Sequence, residues 1–115
     1  MLASLRELDF QVVDGHLHIG GPAERKGNVE DILQLMDECG MDRAVAFPAP
    51  GLRPDNEGLA RAIAPYRDRL TGFAWINPHH GQETVEERER MVRVHGFRGV
   101  KFQPVLHAFQ PMSPI

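Results

Sequence analysis

Cysteine is nearly absent from this chain, since Cys39 is the single one among 115 residues. A disulfide within the chain is therefore excluded, which favours a reducing compartment. No apolar run approaches the roughly 18 residues that a transmembrane helix needs. The charges at Arg6, Glu7 and Asp9 are untypical of a secretory signal. We therefore expect a cytoplasmic protein without a membrane partner.

An excess of charge of one sign is also lacking. The formal net charge is −3, which gives no general attraction to nucleic acid, so we expect no nucleic-acid partner. The length permits one domain, residues 1–115, built around one core.

What the sequence does contain is a regular alternation of short apolar runs and amphipathic runs, punctuated by Gly and Pro. We predict strands over residues 10–19, 42–50, 70–78 and 97–104, and helices over 28–39, over 56–69 and from residue 84 to about residue 95. The order β-α-β-α-β-α-β predicts an α/β fold with parallel strands.

Several residues predict how the helices begin and end. Asn28 is typical of an N-cap and Gly40 of a residue that ends a helix. Pro65 should end or kink the second helix near Ala64. Cys39 falls on the apolar face of the first helix, so we expect a buried structural thiol.

The third helix has its own signals. Thr84 and Glu87 form the pattern of a capping box. His95 precedes Gly96, and we expect it to interact with the carboxyl end of this helix rather than with a metal.

The end of the first predicted strand holds the strongest functional signal. Asp14, His16 and His18 occur at every second position, directly after an apolar run. Side chains at i and i+2 of a strand point to one side, about 6 to 7 Å apart. Neutral imidazole is a common ligand of divalent metals. We therefore predict that His16 and His18 bind a metal with Asp14 supporting them; two histidines in a polar loop are the alternative.

These residues carry a resemblance to a known family. The segment DGHLH, residues 14–18, resembles the H-x-H signature of the amidohydrolase superfamily, and more narrowly its amidohydrolase-related hydrolases and decarboxylases. Two further blocks resemble the same group: PDNEGLARAIAPYRDRLTGFAWINP, residues 54–78, and GFRGVKFQPVLHAFQPMSP, residues 96–114. The resemblance covers nearly the whole chain.

Three other families fit less well. TatD-like nucleases and PHP-type phosphoesterases share D-x-H-x-H, but GVKF at residues 99–102 stands where a TatD-like protein would have a Gly-Glu-Ile-Gly-Leu-Asp-like strand. A flavodoxin-like protein would need a phosphate-binding loop after its first strand, and residues 16–27 lack that fingerprint.

The resemblance implies a parallel (β/α)8 TIM barrel, of which this chain covers the first four strands and three helices, a half barrel. It implies a divalent metal, with zinc expected, and a general base on later strands. The implied activity is hydrolysis of a small carboxylated, lactone or amide substrate by metal-activated water. Decarboxylation, as in aminocarboxymuconate semialdehyde decarboxylase-like enzymes, is the alternative. Another alternative is an inactive half-barrel module that self-associates through open sheet edges.

Other candidates lie near the predicted strand ends. Lys101 is expected to be a structural or substrate-facing cation, although in some binuclear relatives a lysine at this strand is carboxylated and bridges two metals. Arg53 could bind a substrate carboxylate or be a solvated loop residue. Trp75 is expected in the core. Histidines that could contact a ligand are His79, His80 and His107.

Overall fold

The computed structural model describes residues 5–20 and 28–112. Its regular elements alternate along the chain as β1 (Val13–Ile19), α1 (Val29–Cys39), β2 (Arg43–Pro48), α2 (Asn56–Ile63), β3 (Leu70–Trp75), α3 (Gln82–Arg93) and β4 (Gly99–Lys101). Short 3-10 turns are formed by Leu5–Glu7, Ala64–Tyr66 and Pro78–His80. The predicted order of elements is confirmed. The sequence also predicts a loop over residues 20–27, of which residues 21–27 lie outside the described residues.

The four strands form one parallel sheet in the order β1-β2-β3-β4. All four carboxyl ends therefore lie at the same edge of the sheet, which we call the rim. Strands β1 and β4 are the outer strands of the described sheet, so self-association through them stays a prediction. None of the helices in the described part of the chain has the length and apolar character of a membrane span.

One face of the sheet packs against the helices and forms the core. Small strand residues such as Ala44, Ala46 and Ala74 let the helices approach closely, and Ile63 and Met91 fill the space from the helix side. The other face carries the side chains that the rim presents, because neighbouring positions of a strand alternate between faces.

The first two helices begin and end largely as predicted. The Asn28 side chain accepts from the backbone N–H of Asp31, and Gly40 adopts the left-handed conformation that ends α1. Helix α2 ends at Ile63 and continues as the 3-10 turn that contains Pro65. The predicted burial of Cys39 is wrong: its side chain is exposed, because the buried contacts of α1 end with Met36, one turn earlier.

The predicted capping box of the third helix is wrong. Helix α3 begins at Gln82, and Gly81 with φ of 60° takes the N-cap position, so Thr84 already lies inside the first turn. The Thr84 hydroxyl donates to the Asn77 carbonyl, and the Glu87 carboxylate accepts from the Asn56 side chain. Both groups therefore tie α3 to neighbouring elements rather than to its own backbone.

His95 also has a different partner from the one predicted. Its Nε2 lies 2.8 Å from a Glu57 carboxylate oxygen on α2, and Arg90 donates to the other oxygen of the same carboxylate. A carboxylate is a stronger acceptor than a helix carbonyl, so His95 links the segment after α3 to α2 through Glu57.

Candidate functional site

The two histidines of β1 meet at the rim as predicted. The Nε2 atoms of His16 and His18 lie 3.1 Å apart, and both rings contact Phe47 of β2, with ring centroids 4.8 and 6.0 Å away. Two imidazole nitrogens at this separation lie close enough to direct their lone pairs at one ion.

A bond from β2 fixes the tautomer of His18. The Nδ1 of His18 lies 2.8 Å from the Pro48 carbonyl oxygen, and a carbonyl can only accept, so Nδ1 carries the proton. Nε2 of the neutral ring is then unprotonated and faces His16. A backbone carbonyl behind a histidine is the usual partner that orients a metal-binding imidazole.

The neutral form of His16 is favoured as well. Partial removal from solvent lowers the pKa of His16, and the nearby Lys101 ammonium and the His18 ring lower it further, against a smaller opposing effect of Asp14. A neutral imidazole is the form that can bind a cation.

The hydrogen bond of Asp14 goes to the backbone of the pair. The register between β1 and β2 shifts between Asp14 and Leu17, so the simple alternation is interrupted there. Within this irregular segment, an Asp14 carboxylate oxygen accepts from the backbone N–H of His16 at 3.0 Å. Asp14 therefore supports His16 by holding the local chain path.

Lys101 reaches the histidine pair from β4, the outer strand at the other edge of the sheet. Its Nζ lies 3.2 Å from His16 Nε2, 4.4 Å from the centroid of the Trp75 ring and 5.1 Å from that of Phe47. Trp75 is opposite Lys101 in the register of β3 and β4. The aromatic faces attract the ammonium and hold a positive charge beside the two imidazoles.

The other predicted candidates differ in how close they lie to the histidine pair and Lys101. Arg53 pairs with Glu83 at 3.4 Å, and both side chains are largely exposed. His107 is buried and its Nε2 lies 2.9 Å from the Gly51 carbonyl. His79 contacts the Ala108 carbonyl through Nε2. Of these, His107 approaches the centre, because its ring lies 6.1 Å from that of Trp75.

Trp75 is buried as predicted, with 2% of its surface exposed, but it is also part of the rim. Its ring lies 5.6 Å from that of His18 in addition to the contact with Lys101. The sequence interpretation assigned it to the core alone. Strand periodicity indicates that a side chain is buried but does not indicate whether it also contacts a site.

Asn56 is a residue of this region to which the sequence reasoning gave no role. Its side chain accepts from the backbone N–H of Trp75 at 2.8 Å and donates to the carbonyl of the same residue at 3.0 Å. Asn56 thus extends the hydrogen bonding of β3 at the rim. An Asn in the first turn of a helix reads from sequence as a capping residue, and nothing in the pattern indicates a contact with a strand.

The histidine pair offers the two side chains of this region that could bind a metal. Within residues 5–20 and 28–112, no group of three or more His, Cys, Asp or Glu side chains could hold an ion together. The Nε2 atoms of His16 and His18 could fill two positions of a metal's coordination sphere, and Lys101 as an ammonium could fill none.

The parallel sheet and the paired histidines at the end of its first strand define an α/β protein with two converging imidazoles at the rim. The chain belongs to the amidohydrolase family, whose model matches residues 13–114. This confirms the family resemblance of the strand-end motifs. No curated protein matches the chain.

Solved structures share the fold. A protein described as an amidohydrolase from Staphylococcus aureus superposes with a TM-score of 0.65 at 21% identity, over 79% of this chain and 36% of the other. 2,6-Dihydroxybenzoate decarboxylase from Rhizobium superposes with a TM-score of 0.62 at 25% identity, over 79% of this chain and 38% of the other. A protein described as a 2-pyrone-4,6-dicarboxylic acid hydrolase from Acinetobacter baumannii, with citric acid bound, superposes with a TM-score of 0.57 at 20% identity, over 79% of this chain and 37% of the other.

The chain therefore spans little more than a third of the length of these structures. Its four parallel strands and three helices correspond to part of a (β/α)8 barrel. The expected fold class is thus confirmed.

Proposed function

We propose that this chain carries the first-strand metal ligands of a metal-dependent hydrolase that acts on a small carboxylated, lactone or amide substrate. The observation that carries the proposal is the meeting of His16 Nε2 and His18 Nε2 at 3.1 Å, with His18 held from behind by Pro48. A pair of solvated histidines would need neither the shared direction nor the fixed tautomer.

In this proposal His16 and His18 hold a divalent ion, and zinc suits two neutral imidazoles. Such an ion supplies Lewis acidity toward a carbonyl and lowers the pKa of water that it binds. Lys101 offers its ammonium to a substrate carboxylate beside the histidines, and Trp75 and Phe47 keep it in place. Asp14 is occupied by the His16 backbone, so we assign the general base to a residue outside the four described strands.

The direct test is a zinc titration of the purified chain by calorimetry. The double variant His16→Ala/His18→Ala should lose the specific binding that the wild type shows. The control is His95→Gln. This variant lacks an imidazole that pairs with Glu57 and not with the two histidines, and it should bind zinc as the wild type does. Equal binding by all three proteins would contradict the proposal.

Decarboxylation is a second candidate, because one of the similar structures is 2,6-dihydroxybenzoate decarboxylase. The two reactions differ in their products. Hydrolysis of 2-pyrone-4,6-dicarboxylate consumes water and opens the lactone without loss of carbon, whereas decarboxylation of 2,6-dihydroxybenzoate releases carbon dioxide. Zinc-loaded protein assayed with each compound would show which reaction occurs.

A third candidate, an assembly module, follows from the two outer strands β1 and β4. An exposed strand edge can pair with a second copy of the chain. Sedimentation of the purified chain would show a dimer or larger species if this candidate applies, and a monomer would contradict it.

A further inference from the structure

Two buried polar atoms beside the histidine pair have no hydrogen-bond partner among the described residues. They are Nε1 of Trp75 and Nδ1 of His107, in side chains with only 2% and 3% of their surface exposed. Buried polar groups are nearly always satisfied by protein or by another molecule. Two such exceptions at neighbouring rings require a common explanation.

The two atoms are complementary in hydrogen bonding. The indole N–H of Trp75 can only donate. His107 Nε2 bonds the Gly51 carbonyl at 2.9 Å and so carries the proton of the neutral ring, which leaves Nδ1 as an acceptor. The ring centroids lie 6.1 Å apart, so the rings are neighbours, and one oxygen can bridge two nitrogens that are at most about 5.8 Å apart. A hydroxyl group, which accepts one hydrogen bond and donates another, matches both atoms.

The pair adjoins the candidate metal site. The Lys101 ammonium lies 4.4 Å from the Trp75 ring centroid and 3.2 Å from His16 Nε2. A ligand whose carboxylate contacts Lys101 would therefore have its body beside the indole. Lys101 covers one face of that ring, and rotation of its flexible side chain is the motion that would admit such a ligand.

We propose that Trp75 Nε1 and His107 Nδ1 form a subsite for one hydroxyl group of a small hydroxycarboxylate, whose carboxylate is bound by Lys101. This inference rests on the proposed function for the role of Lys101, and it narrows the substrate class to carboxylates that carry a hydroxyl group.

The experiment uses the single tryptophan of the chain, which gives one indole N–H signal in a nitrogen-correlated proton spectrum. Zinc-free protein is titrated with benzoate, 3-hydroxybenzoate and 4-hydroxybenzoate. At least one hydroxybenzoate should move the indole signal and bind roughly tenfold more tightly than benzoate, as expected where a site's buried polar groups would otherwise stay unpaired.

Two variants identify the source of that preference. His107→Phe should bind benzoate as the wild type does and lose the preference for the hydroxyl group, whereas His95→Gln should keep it. If His107→Phe does not fold, the wild-type titration decides alone. Equal affinity for all three ligands, or an indole signal that no ligand moves, would overturn the inference and leave an internal water only between the two rings.

Failure of this subsite is distinguishable from failure of the proposed function. The zinc titration of the His16→Ala/His18→Ala variant tests the metal ligands without any carboxylate, and the hydroxybenzoate titrations are made without zinc. Zinc binding without a hydroxyl preference would overturn the subsite alone.

Discussion

The side chain of Asn56 holds the backbone of Trp75 at two points, accepting from its N–H at 2.8 Å and donating to its carbonyl at 3.0 Å. The second amide hydrogen goes to Glu87 of α3 at 2.8 Å. Asn56 is 1% exposed, its two bonds to Trp75 are buried, and its bond to Glu87 is partly buried. One residue of α2 thereby fixes the end of β3, which carries the aromatic ring beneath Lys101.

Replacement of Asn56 by Ala should therefore be costly. The change leaves the N–H and carbonyl of Trp75 without these partners in a buried place, and each unsatisfied group costs about 1 to 3 kcal/mol. We expect a loss of about 3 kcal/mol in the free energy of unfolding, measured by urea denaturation. Asn28→Ala removes an exposed N-cap bond and should cost about 1 kcal/mol. Similar losses in both variants would contradict the role of Asn56.

Gly72 of β3 is predicted to tolerate no side chain. A Cβ atom built there would lie 2.5 Å from the ring of Phe97, which is 3% exposed and part of the core. Gly72→Ala should thus destabilise the protein by about 1 to 3 kcal/mol through overpacking. The matched control is Gly15→Ala, where nothing lies within 4 Å of the new atom. Thermal or urea unfolding of both variants measures the difference, and equal stability would show that Phe97 can move away.

The ion pair of Glu57 should contribute to stability in a pH-dependent way. The hydrogen bond from Arg90 lowers the pKa of Glu57 below its usual 4.5, with a smaller contribution from the nearby His95. A carboxyl whose pKa is lowered on folding stabilises the protein above its unfolded pKa, and that stabilisation is lost as the pH falls from 4.5 through the folded value.

Glu57→Gln should therefore be less stable than the wild type at neutral pH, and the difference should shrink in acid. The carboxylate is 37% exposed, so solvent screening keeps the effect below about 1 kcal/mol. Urea unfolding from pH 7 to pH 3 measures it, with Glu30→Gln on α1 as the control for loss of a carboxylate. A constant difference across this range would contradict the prediction.

The fold and the histidine pair could be predicted because they rest on local patterns. Alternating apolar runs gave the order of strands and helices, and His16 and His18 share a side of β1 through the period of a strand. Contacts between distant elements could not be predicted in this way. Thr84 and Glu87 have the spacing of a capping box. The Thr84 hydroxyl instead donates to the Asn77 carbonyl, and the Glu87 carboxylate accepts from Asn56.

The same limit applies to the site. The Pro48 carbonyl that sets the tautomer of His18 is a backbone atom, so no residue type indicates it. The place of Trp75 beneath Lys101 depends on the register of β3 and β4, which strand periodicity leaves open. Sequence patterns thus indicate which residues carry chemistry, and the packing of the elements decides which of them meet.

The chemical state of Lys101 can be decided by its effect on zinc affinity. As an ammonium 3.2 Å from His16 Nε2, Lys101 repels a divalent ion bound by the histidines, so Lys101→Met should strengthen zinc binding by up to about tenfold. A lysine carboxylated by carbon dioxide would instead be an anionic ligand, and its removal would weaken binding. Calorimetric titration of both proteins with and without added bicarbonate separates the two states. Weaker binding by the variant, with bicarbonate enhancing the wild type alone, would overturn the assignment of an unmodified lysine and with it the proposed carboxylate contact.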